Sequence, residues 1–269
     1  MSDIIAIANQ KGGVGKTTTA VNLAASLAVA EKKVLMIDAD PQANATTSLG
    51  IRRNDYEFNI YHALIGIKKL SEIILKTRLP HLNLVPSNIG LVGVEKEFIE
   101  KKVPKRETVL KKLIDEIRDQ YDYIIIDSPP ALGVITINVL SAADSVIIPI
   151  QCEFFALEGL AQLLNTVKLV RKTINPKLTI KGFLPTMYSG QSNLSKQVLG
   201  DLIQHFQSQL FENRWRSSDE EKKELDYIVI PRSVKLAEAP SFGKPIILYD
   251  AKSPGSEAYQ NLAKWVIGY

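Results

Sequence analysis

A run of glycines and lysines near the N-terminus has the composition of a phosphate-binding loop. Residues 10–19 read Gln-Lys-Gly-Gly-Val-Gly-Lys-Thr-Thr-Thr and lie between a short apolar segment and a segment of helical period. Glycines let backbone N–H groups converge on an anion at a helix N-terminus, while a lysine and a hydroxyl reach the outer phosphates and magnesium. The sequence therefore predicts a nucleoside triphosphate site.

The loop departs from the usual pattern at one position. G-x-x-x-x-G-K-[ST] has glycine five residues before Gly15, where this chain has Gln10, and a second lysine, Lys11, lies inside the loop. The residues predicted to bind ATP here are Lys11, Gly12, Gly13, Val14, Gly15, Lys16, Thr17 and Thr18.

Acidic residues at the ends of two apolar segments complete the predicted chemistry. Tyr-Ile-Ile-Ile leads into Asp127, and Val-Leu-Met-Ile leads into Asp38, with Asp40 two residues on. Phosphoryl transfer to water needs a carboxylate beside magnesium and a group that orients the attacking water. Parallel strands deliver such residues to the carboxyl edge of a sheet, where ligands bind in open α/β folds.

Segments rich in β-branched residues alternate with segments of helical period, which predicts a parallel sheet with covering helices. The apolar runs do not alternate with polar residues, as expected when helices cover both faces. We predict an α/β, P-loop NTPase-like fold with a twisted, mostly parallel sheet. The predicted strands are 4–8, 33–37, 82–86, 123–127, 145–150, 178–186 and 227–230, and the predicted helices are 17–30, 107–120, 157–173, 194–209 and 256–267.

Composition favours a single cytosolic domain spanning residues 1–269. The chain is 45% hydrophobic and 23% charged, which is ordinary globular usage. Its apolar runs are far shorter than the roughly 20 residues of a membrane-spanning helix, and we expect no secretory signal. Cys152 is the only cysteine, so an internal disulfide and a cysteine-built metal site are excluded within one chain.

Charge is distributed unevenly along the chain. Residues 1–159 hold 18 Lys and Arg against 19 Asp and Glu, whereas residues 160–269 hold 15 against 10. Residues 212–226 interrupt the basic part with six acidic and four basic residues and few apolar ones. We predict that residues 212–226 form an exposed charged loop inserted in the domain.

Several motifs together resemble the ParA/Soj branch of the deviant Walker ATPases, in the MinD/ParA superfamily. They are K-G-G-V-G-K-T-T, D-A-D-P-Q-A-N, I-I-I-D-S-P-P, C-E-F-F-A-L-E-G and the run at residues 230–245. The resemblance implies an ATPase for chromosome or DNA partitioning that uses ATP and Mg²⁺ and dimerises around two ATP molecules. It also implies non-specific binding of double-stranded DNA, nucleoid association and stimulation by a ParB/Spo0J-type partner.

The resemblance also assigns roles to residues around the phosphates. Lys11 resembles the signature lysine that reaches the partner's nucleotide, Lys16 serves its own nucleotide, and Asp40 matches a residue needed for hydrolysis. The magnesium side is assigned to Thr17, Asp38 and Asp127. Asn9 and Asn44 are placed near the phosphates.

The resemblance also implies which residues lie near the nucleotide base and which contact DNA. Met187, Pro231 and Arg232 fall in segments that flank the base in relatives. The family positions that touch DNA fall on or near Lys172, Lys196, Arg232, Lys235 and Lys252, all in the basic part.

Two alternative functions stay open at this point. A MinD-like membrane-cycling ATPase needs an amphipathic basic helix at the C-terminus, whereas residues 262–269 contain only Lys264 as a basic residue. A metabolic ligase or kinase could use the same loop on a small substrate. A nitrogenase-reductase-like carrier is excluded by the single cysteine, and a sequence-specific repressor is not expected because only nine residues precede Gln10.

Overall fold

A seven-stranded sheet forms the centre of the protein in a computed structural model, which describes residues 2–153, 158–215 and 226–269. The strand order is β3-β4-β2-β5-β1-β6-β7, and only the short edge strand β3 runs antiparallel to its neighbour. The predicted α/β fold is confirmed. The strands are β1 (Asp3–Ile7), β2 (Val34–Asp38), β3 (Leu75–Lys76), β4 (Leu82–Val85), β5 (Tyr123–Asp127), β6 (Ser145–Gln151) and β7 (Thr179–Thr186).

Helices follow the strands and cover the sheet. Those of the described residues are α1 (Lys16–Val29), α2 (Asn44–Ser48), α3 (Ile60–Leu64), α4 (Val94–Glu100), α5 (Val109–Asp115), α6 (Val134–Ala142), α7 (Glu158–Thr173), α8 (Asn193–Phe206), α9 (Val234–Glu238), α10 (Ile246–Tyr249) and α11 (Pro254–Ile267). Short 3₁₀ segments lie at Arg53–Asp55, Leu70–Ile73, Ile89–Gly93, Arg106–Thr108, Arg118–Gln120, Gln207–Gln209 and Ala239–Phe242.

The central strands are apolar throughout because both faces of the sheet are buried. Successive residues of a strand point to opposite faces, so Ile124 and Ile126 join one core cluster while Ile125 joins the other. Each fully buried isoleucine contributes roughly 1.5–3 kcal/mol relative to exposure. The two layers of core therefore hold the sheet edge rigidly in place.

The register of the sheet brings the predicted acids together. β2 and β5 pair in parallel, and Asp38 lies opposite Asp127 at their carboxyl ends. β1 pairs with β5 on its other side and leads from that same edge into the glycine-rich loop. The edge is therefore where loop and acids meet.

Six predicted strands are observed with ends within one residue of the prediction, but the strand predicted at 227–230 is wrong. Residues there form only isolated bridges, Glu212 with Tyr227 and Tyr188 with Pro231. The segment pairs with Phe211 at one point and Pro185 at another, so no continuous ladder forms.

One helix prediction also needs correction, and several short helices were not predicted. The helix predicted at 107–120 is broken into a 3₁₀ turn, α5 and a second 3₁₀ turn. Helices α2, α3, α4, α6, α9 and α10 were not predicted. The sequence of α6, Val-Ile-Thr-Ile-Asn-Val-Leu-Ser-Ala, carries no amphipathic period.

The charged segment 212–226 is closed at its base. Glu212 bridges Tyr227 in antiparallel fashion, and Asn213 N–H donates to Asp226 C=O at 2.9 Å. The Lys264 ammonium lies 5.6 Å from the ring centroid of Trp215. Residues 216–225, on which most of the predicted loop falls, lie outside the described residues.

Candidate functional site

The loop between β1 and α1 has the backbone geometry of an anion cradle. Gly13 and Gly15 have φ of 74° and 86°, a left-handed conformation that glycine adopts without steric cost. Gly15 is also the N-cap of α1, and no side chain caps the helix there. The first N–H groups of α1 are therefore left for a ligand, as in phosphate-binding helices.

Buried polar side chains hold the loop on the sheet. Asn9 donates to Pro149 C=O at 2.7 Å and accepts from Lys11 N–H at 3.0 Å, so it anchors the loop backbone. The Thr186 hydroxyl donates to Val14 C=O at 2.9 Å. Thr186 was missed by sequence reasoning, although it lies in the segment that also contains Met187.

Lys16 is folded back onto the loop. It is 7% exposed, and its Nζ donates to Lys11 C=O at 2.8 Å. Burial lowers the pKa of Lys16, while the carboxylates of Asp127 and Asp40 act in the opposite direction. Lys16 is thus a buried cation within the electrostatic reach of two of the predicted acids.

Thr17 and Asp127 meet as the sequence predicts. The Thr17 hydroxyl donates to Asp127 Oδ2 at 2.7 Å, while Oδ1 of the same carboxylate is buried without a hydrogen-bond partner. Burial raises the pKa of Asp127 well above its ordinary value, and Asp38 raises it further. A carboxylate oxygen of this kind beside a hydroxyl suits a cation.

These residues fit magnesium better than a metal caged by protein alone. Mg²⁺ keeps several waters and takes one or two carboxylates together with phosphate oxygens. Among the residues that the structure describes, no three His, Cys, Asp or Glu side chains form a metal-binding group. One hydroxyl and one carboxylate beside a phosphate loop match the magnesium pattern.

Asp38 is fully buried and held by three hydrogen bonds. Its Oδ2 accepts from the N–H and the hydroxyl of Thr46, at 2.8 and 2.7 Å, and its Oδ1 accepts from Asp40 N–H at 3.1 Å. Burial raises the pKa of Asp38 to about 6, although the Thr46 hydrogen bonds oppose the rise. Thr46 was also missed, since a threonine in a helix carries no sequence signal for this contact.

Asp40 lies nearer the solvent, at 8% exposure. Its Oδ1 accepts from Gln42 N–H at 2.9 Å, which turns the chain toward α2. Asn44 begins α2 and is exposed. The described hydrogen bonds of the Asp40 carboxylate leave its second oxygen available.

Lys11, Met187 and Arg232 line one cleft of about 500 Å³. Arg232 N–H donates to Tyr188 C=O at 2.9 Å, which ties the two base-flanking segments together. Pro231 does not line the cleft but pairs with Tyr188. Arg232 also forms an ion pair with Glu153 at 2.8 Å.

The residues predicted to contact DNA are exposed and lie on separate elements. Lys172 lies in the last turn of α7, Lys196 is on α8, Lys235 is on α9 and Lys252 precedes α11. Lys235 forms an ion pair with Asp250, and Arg232 forms the pair with Glu153. Lys172, Lys196 and Lys252 form no ion pair with another described residue.

The sequence matches known proteins over most of its length. A family model described as an AAA domain matches residues 2–180. The sporulation initiation inhibitor protein Soj of Bacillus subtilis is 48% identical over 266 residues, covering 99% of this chain and 98% of Soj. The chain belongs to the ParA/Soj family. The chromosome partitioning protein ParA of Myxococcus xanthus is 46% identical, covering 97% of this chain and 86% of that protein.

Solved structures share the ParA/Soj fold as well. Cobyrinic acid a,c-diamide synthase of Mycobacterium smegmatis, with bound ADP and magnesium, has a TM-score of 0.82 and 32% identity. The match covers 99% of this chain and 94% of the synthase. Within the part of the chain that is described, no helix is long and apolar enough to cross a membrane.

Proposed function

We propose that this member of the ParA/Soj family is an ATP-dependent DNA-partitioning ATPase. Two copies bind two ATP molecules with Mg²⁺, the dimer binds double-stranded DNA without sequence preference, and a ParB/Spo0J-type partner stimulates hydrolysis. It acts in the cytoplasm on the nucleoid. The observation that carries the proposal is the Thr17–Asp127 pair beside the glycine loop, in a chain that matches Soj over nearly its whole length.

The residues around the loop divide the chemistry between them. Magnesium, when bound by Thr17 and Asp127, neutralises charge on the β- and γ-phosphates. Lys16 exchanges its bond to Lys11 C=O for a phosphate oxygen. Asp40, whose second carboxylate oxygen is available, orients the attacking water.

The loop surface supports a second copy opposite the first. Gly12 is exposed, and a β-carbon built there meets no atom within 4 Å. Lys11 lies beside it in the cleft. We propose that a second subunit approaches Gly12 and that each Lys11 reaches the other subunit's phosphates, stabilising charge as an arginine finger does.

DNA binding is proposed for the basic C-terminal part, and the ion pairs decide which variant tests it best. Removing Lys235 leaves Asp250 without its partner, whereas Lys252 forms no ion pair with a described residue. Removing one interaction between a cation and a DNA phosphate should reduce the slope of log affinity against log salt by about 0.9. Because a dimer presents each residue twice, Lys252→Ala can remove up to roughly two such interactions.

The experiment is binding to random duplex DNA across a salt series, with and without ATP. We expect ATP-dependent, sequence-independent binding that Lys252→Ala weakens. Lys112→Ala is the matched control, since Lys112 is exposed on α5, forms no ion pair with a described residue and lies in the electrically balanced half of the chain. A chain that hydrolyses ATP but never retains DNA would instead favour a small-substrate ligase, as in the synthase structures.

A further inference from the structure

We propose that Thr46 is a positioning residue that orients Asp38 for the magnesium–nucleotide complex. This inference rests on the proposed ATPase function and assigns a role to a residue outside the loop and the acids. Thr46 does not touch the nucleotide in this proposal. It acts through the carboxylate that it holds.

Thr46 gives two hydrogen bonds to one oxygen. Its N–H and its hydroxyl both donate to Asp38 Oδ2, at 2.8 and 2.7 Å, and Thr46 itself is 1% exposed. The hydroxyl also accepts from Ser87 N–H at 3.2 Å. Because Ser87 N–H can only donate, the hydroxyl proton must point to Asp38.

The anchor of this arrangement is the sheet. Ser87 lies just beyond the end of β4, and its C=O accepts from the Tyr56 hydroxyl at 2.6 Å. β4 pairs with β2, the strand that ends at Asp38. Thr46 therefore joins the carboxylate at the end of one strand to the backbone beyond its neighbour.

The consequence for Asp38 is a fixed carboxylate plane. Thr46 occupies Oδ2 from two directions, and Asp40 N–H occupies one side of Oδ1. The remaining lone pair of Oδ1 is left for a metal-bound water. Groups that hold a metal-binding carboxylate in this way typically contribute roughly 10- to 100-fold to metal affinity or activity.

A purely structural role makes a different prediction. Helix α2 begins after Ala43 without a side-chain cap, so Asp38 could simply satisfy a helix N–H. Loss of the hydroxyl would then lower stability without changing the magnesium requirement. The magnesium dependence of nucleotide binding separates the two roles.

The experiment compares Thr46→Val, Thr46→Ser and Thr47→Val. Thr47 is the matched control, because it lies on the same helix but is exposed, with its hydroxyl bonded to Ala43 C=O. Nucleotide binding is followed by fluorescent ATP-analogue titration at stepped Mg²⁺ concentrations, and the melting temperature is measured without nucleotide. We expect Thr46→Val to need about 10- to 100-fold more Mg²⁺ for half-maximal binding.

Thr46→Ser restores the hydroxyl and should return the Mg²⁺ requirement close to that of the parental chain, and Thr47→Val should leave it unchanged. A Thr46→Val requirement equal to that of Thr47→Val would overturn the proposal. If Thr46→Val does not fold, Thr46→Ser and Thr46→Ala make the same comparison, since they differ by one hydroxyl. A parental chain that binds nucleotide with Mg²⁺ but never retains DNA refutes partitioning and leaves the role of Thr46 intact.

Discussion

Two glycines with the same backbone conformation should respond very differently to alanine. Gly50 and Gly66 have φ of 79° and 78°. A β-carbon on Gly50 would lie 2.8 Å from Gly243 C=O, whereas one on Gly66 meets nothing within 4 Å. The pair therefore separates the cost of the left-handed conformation from the cost of the close approach.

The magnitudes follow from these contacts. Alanine in the left-handed region destabilises the fold by about 1–2 kcal/mol at either position. Alanine also lowers the conformational entropy of the unfolded chain, which offsets about 0.4–1 kcal/mol of that loss. Overlap with a packed backbone adds about 1–3 kcal/mol at Gly50 alone. With roughly 2–4 °C per kcal/mol for a chain near this size, Gly50→Ala should melt about 2–12 °C below Gly66→Ala.

Urea unfolding and thermal melting of the two variants, without nucleotide, measure the difference directly. Gly243→Ala tests the same contact from the opposite residue, because its β-carbon would lie 2.6 Å from Gly50 Cα. Gly268→Ala is the control for this variant, since Gly268 has a φ of 89° and its β-carbon would meet no atom within 4 Å. Equal losses in Gly50→Ala and Gly66→Ala would refute the packed contact between Gly50, which follows α2, and Gly243, which precedes α10.

Other predictions concern the nucleotide site. Lys11→Ala should bind ATP but fail to dimerise and hydrolyse, whereas Lys16→Ala should lose nucleotide affinity; light scattering with nucleotide titration checks this, and equal affinity losses would contradict it. Asp40→Ala should accumulate an ATP-bound dimer that hydrolyses slowly, so a variant at the parental rate would show that Asp40 is misassigned. Because the pKa of Asp38 is raised to about 6, its protonation stabilises the nucleotide-free fold fully below about pH 4, and this stabilisation is lost as the pH rises through about 6. The change in the free energy of unfolding from this group is roughly 3 kcal/mol. Urea unfolding between about pH 4 and about pH 7 should therefore show a smaller fall in stability for Asp38→Asn than for the parental chain.

Motif and strand-end reasoning correctly predicted that the glycine-rich loop and the acids lie at one edge of the sheet. Thr17 and Asp127 are 110 residues apart, yet they meet because a loop after β1 and an acid after β5 must reach the same edge of a parallel sheet. These features follow from chain order and residue type.

Contacts made by ordinary residues could not be predicted. The Thr186 hydroxyl donates to Val14 C=O, 172 residues away in the sequence. The Thr46 hydroxyl donates to Asp38 while it accepts from the N–H of Ser87, just beyond β4. Threonine is common in helices and strands, so its type gives no indication of such a partner. The strand predicted at 227–230 failed for a related reason, since its β-branched residues pair with separate segments instead of one strand.

Arg232 and Lys235 each form an ion pair with a carboxylate of the same chain, Glu153 and Asp250 respectively. Each carboxylate therefore competes with any other anion for the cation beside it. A phosphate that binds either side chain competes with a carboxylate that cannot diffuse away. Binding there is an exchange of partners, and fewer small ions are released than the number of cations would indicate. If this surface binds DNA as proposed, substitutions of Glu153 and Asp250 should change the lifetime of the complex while leaving every lysine and arginine in place.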